Sequence, residues 1–294
     1  MNQDLFDQII LNNLIAKLGT SAFGYIAANN GVYDTYYTNN EFQNFITEMK
    51  INHPVHYSAY AQGKGSELLP GSKNGTPPKM ASVASSSRFC YLALRNGAHH
   101  IQVNSDVVVE HECPIIDKPN IQPQLDAYSL SGNTYVEVKC HEIFIKSKTK
   151  TLGKSYVDYI YGSKYGIGFK LPIDCKPTAE FKIPHKEFGL SDFPTYFDLK
   201  QFLCHLLGIA CQNKGKDKPA TLAYLFFRPK TSDNSLNQEL LSVFTKLQAE
   251  IISIFTSQAI KDFCKENNII LKAYYEYSEV MEPLTASNTH PLFS

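Results

Sequence analysis

Gln124-Leu125-Asp126-Ala127-Tyr128-Ser129-Leu130-Ser131-Gly132-Asn133-Thr134-Tyr135-Val136-Glu137-Val138-Lys139-Cys140-His141-Glu142-Ile143-Phe144 is the stretch on which the fold turns. It reads as two short strands joined by a tight turn at Ser131-Gly132-Asn133, because Gly and Asn tolerate the positive φ that hairpin turns demand. A period of two puts Tyr135, Glu137, Lys139 and His141 on one side of the second strand, with Val136, Val138 and Cys140 on the other. One face is therefore expected to be buried and the other wet. The first strand carries Asp126 among Leu125, Ala127 and Tyr128, and a carboxylate in apolar company is costly without a partner. In simple register Asp126 meets Glu137 and Lys139.

Two carboxylates and an ammonium at one point have a chemical use. Two hard oxygen donors hold Mg²⁺ loosely, with Mn²⁺ as a substitute, and leave positions for water and a substrate phosphate. Such a metal lowers the pKa of its bound water, and a nearby ammonium stabilises developing negative charge. A plain surface strand with Glu137 and Lys139 on its wet face, paired across to Asp126, is the ordinary alternative.

Asp126, a short hairpin and Glu137-Val138-Lys139 resemble the signature of the PD-(D/E)xK nucleases; more narrowly, the chain is similar to restriction-endonuclease-like proteins of bacterial defence. Leu125 stands where the name-giving motif has proline. The resemblance covers residues 83–230 and implies an α/β restriction-endonuclease-like core ordered helix, three strands, helix, strand. Ser85-Ser86-Ser87-Arg88-Phe89 opens its first helix, Glu110-His111-Glu112 lies on the strand before Asp126, and a helix with Gln201 precedes the strand Thr221–Phe227. It further implies that Asp126 and Glu137 hold Mg²⁺, with Glu110 as a third acid and the Val138 carbonyl as a further ligand. Glu112 and Glu67 are the alternatives for that third acid. Lys139 would position the attacking water and Gln201 would support the site, while His205 stands where recombination-type relatives carry tyrosine. The implied reaction is hydrolysis of DNA, with a catalytically silent DNA-binding or assembly module as the alternative. A homodimer and a defence-system partner are the implied associates.

Length and composition fit this. A chain of 294 residues, 43% apolar, can bury a sizeable core. Its net charge of zero excludes a generally cationic coat, so DNA contact must come from a local patch. The expected patch is Lys146, Lys148, Lys150 and Lys154, followed by Tyr156, Tyr159, Tyr161 and Tyr165. Seven scattered cysteines without a CxxC pair, no secretory leader and no apolar run of spanning length point to a reduced cytoplasmic setting. His111 with Cys113 is too little for zinc, and Cys140 and His141 point to opposite strand faces, which disfavours a cysteine nucleophile.

Apolar spacing predicts helices over Asp4–Leu18 and Asn40–Met49, an N-terminal helical appendage spanning 1–60. A loop rich in Gly, Pro and Ser follows at 61–82, then the main domain at 83–282 and a loose tail at 283–294. Within the main domain we expect a helix from Thr195, capped by Thr195 with Asp198, to Ala210. One long helix capped by Ser235 is expected to run to about Lys265, and an edge strand to span Ile269–Tyr277.

Overall fold

In a computed structural model the described residues are 3–27, 33–63, 67–70, 77–114, 122–144, 146–147, 151–153, 180–182, 185–190 and 194–294. The fold is mixed α/β around a six-stranded sheet. Strands β3 (Val107–Glu112), β4 (Gln124–Ser129) and β5 (Thr134–Lys139) form an antiparallel meander. β8 (Ala220–Pro229) then joins β5 in parallel, β9 (Ile269–Ser278) runs parallel to β8, and β10 (Thr289–Phe293) closes the far edge antiparallel to β9. Two small antiparallel strand pairs, β1 (Phe23–Ala27) with β2 (Tyr33–Tyr37) and β6 (Thr151–Gly153) with β7 (Glu180–Lys182), stand outside the sheet.

Helices cover both faces. On one side lie α1 (Gln3–Leu18) and α4 (Ser86–Leu94), whose Phe6 and Phe89 pack on Phe227 at ring distances of 6.4 and 5.3 Å. On the other lie α5 (Leu199–Asn213) and α6 (Asn234–Thr256), whose Phe202 and Phe255 stack 5.1 Å apart beneath Tyr224. Aromatic pairs of this kind add about 1 kcal/mol each beyond the area they bury. The helix α2 (Asn39–Asn52) is followed by α3 (Pro54–Gln62), whose His56 Nε2 hydrogen-bonds the Val107 carbonyl of β3 at 2.9 Å. The buried residues of α1 and α2 belong to the same hydrophobic core as the sheet.

Several expectations change. β5 is not half-wet: Tyr135 and Glu137 are 0% and 3% exposed, because a central strand parallel to β8 is covered on both faces. α5 starts at Leu199, where Asp198 accepts from the Gln201 amide, while the Thr195 hydroxyl donates to the Phe197 carbonyl instead. The expected long helix is two: α6 is capped by Asp233 rather than Ser235, and α7 (Gln258–Glu266) follows a 59° bend at Ser257. β9 is not the edge, since residues expected to be a loose tail form β10. No single helix among the described residues is long and apolar enough to cross a membrane.

The predicted hairpin is present, but the positive φ falls on Asn133 alone, at 49°. Gly132 is needed for closeness, since a Cβ there would collide with the Gln102 carbonyl oxygen. The buried Asn133 amide donates to Asn213 Oδ1, Lys218 O and Pro219 O and accepts from the Tyr128 hydroxyl, pinning the hairpin to the start of β8. Asn133→Ala is therefore expected to cost about 2 kcal/mol in denaturant unfolding, from lost buried hydrogen bonds and a strained left-handed backbone. An unchanged midpoint would contradict this account of the turn.

Candidate active site

The sheet registers set the site. β3 pairs with β4 through Val109–Ala127 and His111–Leu125, which places Glu110 opposite Asp126. β4 pairs with β5 through Ala127–Val136, and one step further sets Glu137 beside Asp126. β8 then puts Tyr224 beside Glu137. Three acids thus lie on neighbouring strands in one row.

Asp126 and Glu137 are brought together with Lys139. Asp126 Oδ2 accepts from the Val138 amide at 2.6 Å, and Lys139 Nζ donates to Glu137 Oε1 at 2.5 Å. Gln201 Nε2 donates to the same oxygen at 2.8 Å, oriented from the first turn of α5. Of Val138, the group shown at Asp126 is the amide, not the carbonyl expected as a ligand.

Burial pushes the Asp126 carboxyl well above the usual range, and the neighbouring Glu137 charge pushes it further. Burial raises Glu137 also, against the pull of Lys139. For Lys139 burial acts downward, yet Glu137, Asp126 and Glu142 outweigh it and hold the ammonium above the ordinary lysine value. His205 is fully inside, its Nδ1 3.0 Å from the Tyr224 hydroxyl and its Nε2 3.7 Å from Glu137 Oε2. Burial, with the Lys139 charge, pulls it down to about 3, so it is a neutral core histidine at physiological pH.

Glu110 is half-buried with its backbone in the left-handed region at φ 54°, and its Oε2 accepts from Gln124 Nε2 at 2.6 Å. Burial, then Asp126 and Glu67, push Glu110 up to about 7. Glu67 is buried and ion-paired to Lys79 at 3.2 Å, its Oε2 without a hydrogen-bond partner. The Glu112 carbonyl accepts from Gln212 Nε2 at 3.2 Å. Among the described residues no group of three or more His, Cys, Asp or Glu converges in a ready-made metal cage.

A cleft of about 470 Å³ opens beside these groups, lined by Lys139, Glu142, Gln201, Lys146, Tyr196 and Phe226 among others. Lys139 forms part of the wall while Glu137 lies sealed behind it. Glu142 is the residue the sequence reading missed. It lies on a 3-10 turn, His141–Phe144, where its Oε2 accepts from the Cys140 amide at 2.7 Å, and strand parity cannot place it once β5 has ended. Lys146 is exposed, 4.8 Å from the Tyr196 ring centre. Lys148, Lys150, Lys154 and the tyrosines at 156, 159, 161 and 165 lie outside the described residues.

The other chemistries fare poorly. Burial raises the Cys140 thiol well above its usual value, and His141 turns to Asp7 Oδ1 at 3.0 Å. Burial pushes the Cys113 thiol up to about 12, and His111 is hydrogen-bonded to Gln212. No protein-family model, curated protein or solved structure matches this chain.

Proposed function

We propose that the chain is a Mg²⁺-dependent nuclease that hydrolyses phosphodiester bonds of DNA on a restriction-endonuclease-like core. The supporting observation is that Asp126, Glu137 and Lys139 come from adjacent strands to one point, with Gln201 on the same carboxylate. Among the described residues the order α4, β3, β4, β5, α5, β8, with short elements between, agrees with such a core.

The donor set suits a hard divalent cation. Asp126 and Glu137 are neighbouring acids whose burial resists ionisation, and the Lys139 ammonium neutralises Glu137 much as a cation would. Asp126 and Glu137 would hold the ion, with Glu110 and Glu142 near enough to add negative field. Bound Mg²⁺ supplies charge neutralisation on the phosphate and a lowered pKa for water. Lys139 stays protonated, so it serves as a hydrogen-bond donor and positive charge at the cleft wall, not as a general base. Gln201 fixes the Glu137 carboxylate, and Lys146 gives the substrate backbone a cation at the cleft mouth.

Glu137, at 3% exposure, also supports the second reading, a DNA-binding module that no longer cuts. The deciding experiment incubates plasmid and oligonucleotide DNA with the full chain in Mg²⁺, Mn²⁺ or EDTA and follows thermal stability in the same buffers. We expect nicking or cleavage in Mg²⁺ that EDTA abolishes, and a rise in Tm with Mg²⁺. Salt-sensitive DNA binding without cutting in either metal selects the silent module. With neither cutting nor binding, both readings are lost.

A further inference from the structure

Arg228, near the end of β8, is one of three arginines in the chain and is 9% exposed. Arg88 donates to the Met80 carbonyl and Arg95 to Glu48. Arg228 instead meets three aromatic rings, with its guanidinium carbon 4.7 Å from the centre of Tyr277, 5.5 Å from Tyr275 and 5.7 Å from Phe244. Its Nε is buried without a hydrogen-bond partner, and no acceptor or carboxylate pairs with the guanidinium among the described residues.

Ring faces satisfy only part of a guanidinium. It carries five N–H donors in its plane and no acceptor, and burying the Nε–H without a partner is costly. A second cation sharpens the problem. Lys230 follows directly on the end of β8, and its exposed Nζ is 5.0 Å from the centre of the same Tyr277 ring. Its charge reaches the buried Glu276, but burial pushes that carboxyl up to about 8, so it brings little negative charge at neutral pH. Two positive charges against one tyrosine repel unless an anion lies with them. Carboxylate and phosphate oxygens both match a planar fork, and phosphate brings the larger charge to answer two cations. The rim of Tyr277, Tyr275 and His290, which stacks on Tyr275 at 5.1 Å, suits a nucleotide better than a bare ion.

Position adds a direction. Phe226 precedes Arg228 by two residues on the same face of β8 and lines the cleft beside Lys139. We propose that Arg228 and Lys230 bind a phosphate group, that of a nucleic-acid strand running on from the cleft. The phosphate site stands on its own geometry; only the source of the phosphate rests on the nuclease reading.

The test uses the full chain in EDTA, so that nothing is cut. Anisotropy of a fluorescein-labelled single-stranded oligonucleotide is measured against salt for wild type, Lys230→Ala and Arg228→Lys. In parallel, Tm is read with inorganic phosphate or adenosine monophosphate replacing chloride at constant ionic strength. We expect Lys230→Ala to weaken oligonucleotide binding about fivefold and to flatten the log–log salt slope by about 0.7, one single-strand phosphate contact. Arg228→Lys keeps the charge but loses the fork, with an expected loss of about tenfold. Lys230 is exposed, so its variant tests the site even if Arg228→Lys unfolds. Phosphate or adenosine monophosphate should raise the wild-type Tm, and Lys230→Ala should abolish the shift. An effect on those two ligands alone keeps the phosphate site and reassigns its source to a free nucleotide or phosphate. Unchanged oligonucleotide affinity together with an unchanged Tm shift overturns the site, even if Mg²⁺-dependent cutting is found. Lys230-dependent binding without any cutting in Mg²⁺ leaves the site standing and removes the nuclease reading.

Discussion

Lys139→Ala is expected to lower Mg²⁺-dependent DNA cleavage by about 10²–10³-fold while increasing the thermal shift that Mg²⁺ produces. The two effects have one cause. Lys139 Nζ is 2.5 Å from Glu137 Oε1, so without a metal the ammonium occupies an oxygen that a cation needs. Removing it leaves Glu137 and Asp126 facing each other with raised pKa values and no neutralising partner. A divalent ion then meets less competition and relieves more repulsion. The same truncation deletes the charged donor from the cleft wall, and with it the stabilisation of charge developing on a bound phosphate. Asp126→Ala should behave differently, losing both cleavage and the Mg²⁺ shift. Single-turnover cleavage and Tm with and without Mg²⁺ separate the cases. Lys139→Ala cutting within about tenfold of wild type, or a smaller Mg²⁺ shift than wild type, would sink the role given to this lysine.

What was legible in the sequence and what was not divides along a physical line. The hairpin around Gly132 and Asn133 could be read because its alternation and turn residues are local, and so the meeting of Asp126 with Glu137 and Lys139 followed from register alone. The apolar stripe of α6 and α7 runs on through their junction, so Ser257, with extended ψ of 144°, gave no composition signal that the helix breaks. α3 begins with Pro54 at its first turn and lacks a clear apolar stripe, and only its packing on β3 makes sense of it. Glu110 was a candidate through the resemblance, yet it lies across from Asp126 on a left-handed backbone that no pattern of side chains announces. Glu142 was missed because its position depends on where β5 stops. Arg228 needed β8, β9 and α6 in place before its lack of an acceptor could be seen.

Glu276→Gln is expected to make the protein more stable at pH 8 and to flatten the fall of stability with pH. Glu276 is fully buried in β9 between β8 and β10; its Oε1 accepts from the Ser278 hydroxyl and, at 3.5 Å, from Asn288 Nδ2, while Oε2 has no partner. Burial raises it from 4.5 to about 8, against the pull of Ser278. The folded chain therefore holds a proton that the unfolded chain releases near pH 4.5. Its contribution is fully present below that point and is lost progressively as the pH rises to about 8, on the order of 3–5 kcal/mol over the window. Glutamine has the shape and neutrality of the protonated acid, and its amide oxygen can keep the Ser278 hydrogen bond, so the variant carries the stability of the acid form at every pH. Asp126 and Glu110 slope the same way in the wild type, which is why the difference between the two proteins, not the slope of either, isolates Glu276. Denaturant unfolding at pH 5, 6.5 and 8 should show the curves diverging as pH rises, and parallel curves would mean that the carboxylate is already charged and paired in the fold.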